Sequence, residues 1–174
     1  MRILIAGIVG GVAMYIWSSL AHVALPLGHM GISAIPNEAA ASAALSTALG
    51  DKDGLYIFPA SMTAKSGPSG LLAYHHTLSA IDAPTLCKEA IVELAEGVLS
   101  AVLLAMGAVA GYWRQVGFVS LVGVVAAIST NPSYWIWYKF PPDYTLAYMV
   151  IQFVGYVVAG LAIGAIFRGK TQTV

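Results

Sequence analysis

Glu93 and Glu96 stand three residues apart in an apolar stretch, so a helix would carry both carboxylates on one face. That is the spacing used in carboxylate-bridged metal sites. His22 lies in a second apolar stretch, Asn131 in a third and Gln152 in a fourth. Such side chains can hydrogen-bond one another or hold a cation, and His with Glu suits Zn, Fe or Cu. The Glu-x-x-His partner that usually completes such a site is missing from these stretches. His29, His75 and His76 lie between the first two stretches and are weaker candidate ligands. If residues 74–77 are extended, His75 and His76 point to opposite sides, so at most one faces a site. A second constellation is aromatic: Tyr134, Trp135, Trp137, Tyr138, Phe140 and Tyr144 fall within eleven residues. Rings of that kind form a belt at headgroup depth or a platform for a quinone, a lipid or a partner subunit. Serine-protease order, a glycine-rich phosphate loop, CxxC and CxxCH are all absent. Cys87 is alone, which excludes an internal disulfide and a thiolate metal cluster.

The elements that must position these residues follow from composition. Of 174 residues 59% are hydrophobic and 9% charged, the formal net charge is zero and the mean hydropathy is +0.80. Soluble domains carry about 25% charged residues, and nucleic-acid binding needs a basic excess that this chain lacks. Four stretches approach the ~20 apolar residues that a bilayer-spanning helix needs. The fold expected is all-α, an integral membrane four-helix bundle in a single domain of residues 1–174, with spans at about 3–25, 90–112, 116–138 and 145–167. Ser19, Leu20 and Ala21 resemble a signal cleavage pattern, but the apolar run is long for a signal and is read as a retained helix.

Residues 26–89 make an ordered extracytoplasmic loop with a short helix, started by Asn37 and Glu38 and stopped at Gly50. Residues 54–59 read as a short strand or an apolar plug, and residues 65–70 as the most mobile piece. Pro84 and Thr85 read as the cap of the second long helix. Arg2, Arg114, Arg168 and Lys170 lie in short segments on one side. The positive-inside rule then places both termini in the cytoplasm, and reading the host as bacterial makes this an inner-membrane protein with the large loop periplasmic.

At about 100° per residue, His22, Glu93, Glu96, Asn131 and Gln152 share faces with small residues, along which membrane helices pack. Their depths, about 6–12 Å outward of the midplane at 1.5 Å per residue, form one layer closed below by apolar residues. An ion pathway needs polar stations through the full thickness, so transport is disfavoured. The layer is either a mutually hydrogen-bonded packing layer or a site for a ligand or metal. No cofactor is expected; a single metal ion at His22, Glu93 and Glu96 is the one exception the residues allow. Gly7 with Gly11, Gly107 with Gly111 and Gly160 with Gly164 have the small-xxx-small form. They predict association with other membrane subunits or with self, with Gly160 and Gly164 at that interface.

The stretches Gly10–Trp17, Leu25–Ile32, Ile35–Glu38 and Ser133–Pro141 resemble small four-span bacterial membrane proteins of unknown function, over most of the chain. The resemblance implies a fold and no activity. The function favoured by the sequence is an accessory or scaffold subunit of a larger membrane complex. The alternative is a membrane-embedded enzyme or ligand- or metal-binding protein with a site open to the periplasm.

Overall fold

The computed structural model describes residues 1–61, 63, 65–77 and 81–168 of the chain, so Lys170 lies outside the described residues. The described residues are 71% helical, in five α-helices and one 3-10 turn. These are α1 (Arg2–Val23), α2 (Glu38–Leu49), α3 (Ala83–Met106), α4 (Tyr112–Tyr138) and α5 (Pro142–Phe167). A short 3-10 turn, Pro26–His29, follows α1. The all-α expectation is corrected by two antiparallel strands, β1 (Gly54–Phe58) and β2 (Gly70–Tyr74), paired from Gly54 opposite Tyr74 to Phe58 opposite Gly70. The segment read as mobile is part of the loop of this hairpin.

Helix starts and stops follow capping chemistry. Asn37 accepts from the Ala40 amide at 3.1 Å and Gly50 ends α2 at φ +60°, as the sequence suggests. Asp82, rather than Pro84 and Thr85, caps α3, accepting from the Thr85 amide at 2.9 Å and the Thr85 hydroxyl at 2.7 Å. The same bonds hold the Asp82 carboxyl below its usual range. Helix α3 ends at Met106, short of the expected 112, because residues 107–111 leave helical geometry with Ala108 at φ 47° and Gly111 at φ 89°. Helix α4 runs unbroken through Pro132 and stops where Lys139 turns left-handed at φ 58°.

Among the described residues three helices, α1, α4 and α5, are long and apolar enough to cross a membrane. Helix α3 is not among them: Glu89, Glu93 and Glu96 fall within every 18-residue stretch of it.

The spatial order of the long helices is α3–α1–α5–α4. Consecutive α3 and α4 sit at opposite ends of this row and scarcely touch. Glycine sets the order. A methyl group built on Gly97 would lie 2.7 Å from the Gly11 Cα, so α1 and α3 meet backbone to backbone. Gly10 receives Ile163 of α5, and Gly123 of α4 receives the Tyr156 ring. Gly160 and Gly164, expected to meet another chain, are buried against Val116, Val119 and Tyr112 of α4 in the same chain. The apolar core of Ala6, Ala101, Leu104, Val119, Ala159 and Ile163 lies in the half of the bundle nearest the termini. There Arg2 donates to the carbonyls of Ile166 and Arg168, and the Arg168 guanidinium lies 3.9 Å from the Tyr112 ring centre.

Candidate functional site

The other half of the bundle holds a cavity of about 310 Å³. It is lined from all four long helices, and His22, Glu93, Glu96, Asn131 and Gln152 are all on its wall. Five positions spread over 130 residues of sequence therefore converge because each rides the inward face of its own helix. Trp17, Ser18, Glu89, Thr130 and Tyr148 complete the polar lining. None of these five is among the candidate site residues read from sequence, although Ser18 and Tyr148 share helical faces with His22 and Gln152.

Local bonds fix the lining. Asn131 Nδ2 donates to Gln152 Oε1 at 3.2 Å and to the Ala127 carbonyl at 3.1 Å, tying α4 to α5. Trp17 Nε1 donates to the Ile151 carbonyl at 2.8 Å, tying α1 to α5. His22 Nδ1 lies 2.9 Å from the Ser18 carbonyl, which can only accept, so Nδ1 carries the proton there. In neutral His22 that leaves Nε2 with its lone pair, free to accept a hydrogen bond or ligate. Over His22 the 3-10 turn folds back so tightly that a methyl group on Gly28 would meet the His22 Cα at 2.8 Å.

Glu89, Glu93 and Glu96 have no Lys, Arg or His within 4.0 Å among the described residues; the ion pairs found there belong to Asp53. No group of three His, Cys, Asp or Glu side chains that could hold a metal ion occurs among the described residues either. His22, Glu93 and Glu96 thus share a cavity without standing together as a coordination shell. His29 is not part of the lining.

His75 and His76 belong to a separate cluster. The chain bends after β2, so both rings turn to Asp53 instead of pointing apart. His76 Nδ1 lies 2.7 Å from Asp53 Oδ1, its amide donates to the same oxygen at 2.8 Å, and His75 Nδ1 is 3.4 Å from Oδ2. The His76 amide is the largest of the causes that lower the Asp53 carboxyl to about 2.

The aromatic cluster connects with the polar layer. Tyr134 stacks on Phe140 at 5.4 Å, Phe140 meets Tyr144 edge-on at 5.4 Å, and Tyr144 stacks on Tyr148 at 4.4 Å. Tyr148 meets the His22 ring at 5.8 Å, so a ladder of rings runs from the end of α4 to the cavity wall. Tyr138 packs beside Tyr134, whereas Trp135 and Trp137 stay exposed, Trp137 at 77%. Between β1–β2 and Trp137–Pro141 lies a second cavity of about 500 Å³. Comparison of the chain with protein-family models, with curated proteins and with solved structures finds no match.

Proposed function

We propose that the chain is a bacterial inner-membrane protein that binds a small, positively charged ligand in the cavity between its four long helices. The observation that carries this reading is that one polar layer, drawn from α1, α3, α4 and α5, surrounds one open volume instead of closing on itself. Three carboxylates without an internal cation make that volume complementary to a protonated amine or a similar group. In this reading α3 is the fourth span: its glutamates face the cavity, and Ile91, Val102 and Met106 are its exposed apolar side. Arg2, Arg114 and Arg168 at the end opposite the cavity support cytoplasmic termini and a periplasmic mouth.

The test is binding of butylamine to the full chain in phosphatidylcholine nanodiscs, read by thermal shift, beside metal analysis of protein purified without chelators. Saturable stabilisation, lost in Glu93→Gln with Glu96→Gln, supports the reading. No stabilisation by amine or metal, with both substitutions silent, leaves only a packing layer and ends it.

A second reading, an accessory subunit of a larger assembly, draws on α2, which buries no side chain, and on the exposed Trp135 and Trp137. The use of Gly160 and Gly164 inside the chain removes its glycine argument. Co-purification of stoichiometric partners from native membrane is the measurement that would favour it.

A further inference from the structure

The cavity has one side without a wall. Row order α3–α1–α5–α4 leaves the two outer helices facing each other with almost no contact. They approach at their link, where a methyl group on Gly107 would meet the Phe118 ring at 3.6 Å. Beyond that point they enclose the cavity, with Glu89, Val92, Glu93 and Glu96 on α3 and Thr130 and Asn131 on α4. On α3 the cavity face continues toward the link. Val92, Glu96, Leu99 and Leu103 fall within about 60° of one another on the helix, at about 100° per residue. Val92 and Glu96 line the cavity, while Leu99 and Leu103 are 61% and 43% exposed. An apolar seam therefore leads sideways from an acidic cavity into the layer where the helices meet lipid.

Resting on the proposed membrane-embedded binding site, we propose that its ligand is a membrane-resident amphiphile with a protonated amine head, which enters between α3 and α4 and lays its chain along Leu99 and Leu103. The head is specified by charge: three carboxylates border the cavity, and no Lys, Arg or His lies within 4.0 Å of them among the described residues. The chain is specified by continuity, since the seam is apolar and joins the cavity on the same face of α3. A water-soluble amine would satisfy the carboxylates and leave the seam unused. An uncharged amphiphile would fill the seam and leave the carboxylates unpaired.

The test uses the full chain in phosphatidylcholine nanodiscs with Trp113→Phe, Trp135→Phe and Trp137→Phe, so that Trp17 on the cavity wall is the reporter. The probe is stearylamine carrying a nitroxide near its head, which quenches Trp17 on binding. Quenching should saturate and be reversed by unlabelled stearylamine. Butylamine should need at least about tenfold more, because membrane partitioning concentrates the long-chain amine at the seam. Octadecanol should not compete. Glu93→Gln with Glu96→Gln should abolish saturable quenching. Leu99→Phe with Leu103→Phe, which fills the seam, should weaken stearylamine about tenfold and spare butylamine. Leu99→Ala with Leu103→Ala, which widens it, should keep stearylamine binding.

Butylamine competing as well as stearylamine, or seam filling that weakens both amines equally, would overturn lateral entry while leaving the cation site standing. Octadecanol competing as well as stearylamine would overturn the amine head. Quenching indifferent to the glutamate substitutions, with no effect of butylamine, would overturn the binding site itself.

Discussion

Replacing Gly97 with Ala adds one methyl group where α1 and α3 have no room for it. The new carbon would lie 2.7 Å from the Gly11 Cα, with the Gly11 nitrogen and the Gly7 carbonyl oxygen closer still. Ordinary carbon contacts sit near 3.5–4.0 Å, so the helices must part by roughly 1 Å. The obstructing atoms are backbone, which no rotamer change relieves. Overpacking of this kind costs about 3 kcal/mol at the upper end of the usual range. Helix propensity returns about 1 kcal/mol, because Ala is the better helix former. The expected net loss is about 2 kcal/mol, a ~30-fold shift toward the unfolded state. Gly117 supplies the internal control: it lies within α4 and a methyl group there meets nothing within 4 Å. Gly117→Ala should be neutral or stabilising by up to about 1 kcal/mol. Equilibrium unfolding in bilayers by steric trapping measures both. Gly97→Ala as stable as the parent, or the two substitutions equally harmful, would refute the backbone-to-backbone contact and the helix order built on it.

A double-mutant cycle on Asn131→Leu and Gln152→Leu should return a coupling of about 0.6 kcal/mol, at most about 1.7, for the bond between them; zero coupling would mean the two amides do not meet. Trp17→Phe keeps a smaller aromatic ring and loses the bond to the Ile151 carbonyl, so stability should fall by at least about 1 kcal/mol; an unchanged unfolding midpoint would count against that bond. Asp53 is depressed from 3.8 to about 2 in the folded hairpin, so what it contributes to hairpin stability is complete above its unfolded value and disappears as pH falls through about 2. Hydrogen exchange of the β1–β2 amides between pH 5 and pH 1.5 should reveal that loss, and Asp53→Asn should remove the pH dependence. In a Cys87→Ala background, a cysteine at Ser66 should react with an impermeant maleimide in intact spheroplasts, and one at Arg168 only after permeabilisation; the reverse pattern would invert the proposed orientation.

The polar cavity was legible from the sequence to the extent that helical periodicity governs it. Placing His22, Glu93, Glu96, Asn131 and Gln152 on packing faces requires only the period of 3.6, and each helix keeps that period in the fold. Trp17 was harder to see, because an aromatic residue in an apolar helix fits a lipid-facing surface equally well. Neighbour order was not legible at all. It depends on Gly97 fitting Gly7 and Gly11 across residues distant in sequence, and small-residue stripes say that something packs closely, not what. Gly160 and Gly164 were assigned to another chain for that reason. The end of α3 was misjudged because hydropathy runs on through Gly107–Gly111, where backbone angles, not polarity, break the helix. Strand β2 was missed because its five residues acquire a partner only across the hairpin loop.

The close fit of α1 has a consequence for how the chain is made. Its glycine-lined face is completed by α3, through Gly97, and by α5, through Ile163. Arg2 takes its acceptors from Ile166 and Arg168, 164 and 166 residues further along the chain. Helices α1 and α3 can pair as α3 emerges, but the Gly10 face of α1 stays bare until α5 has been made. A nascent chain released before Ile163 would leave that groove vacant and the Arg2 guanidinium without its carbonyls, an unfinished state that membrane proteases and chaperones could distinguish from the mature protein.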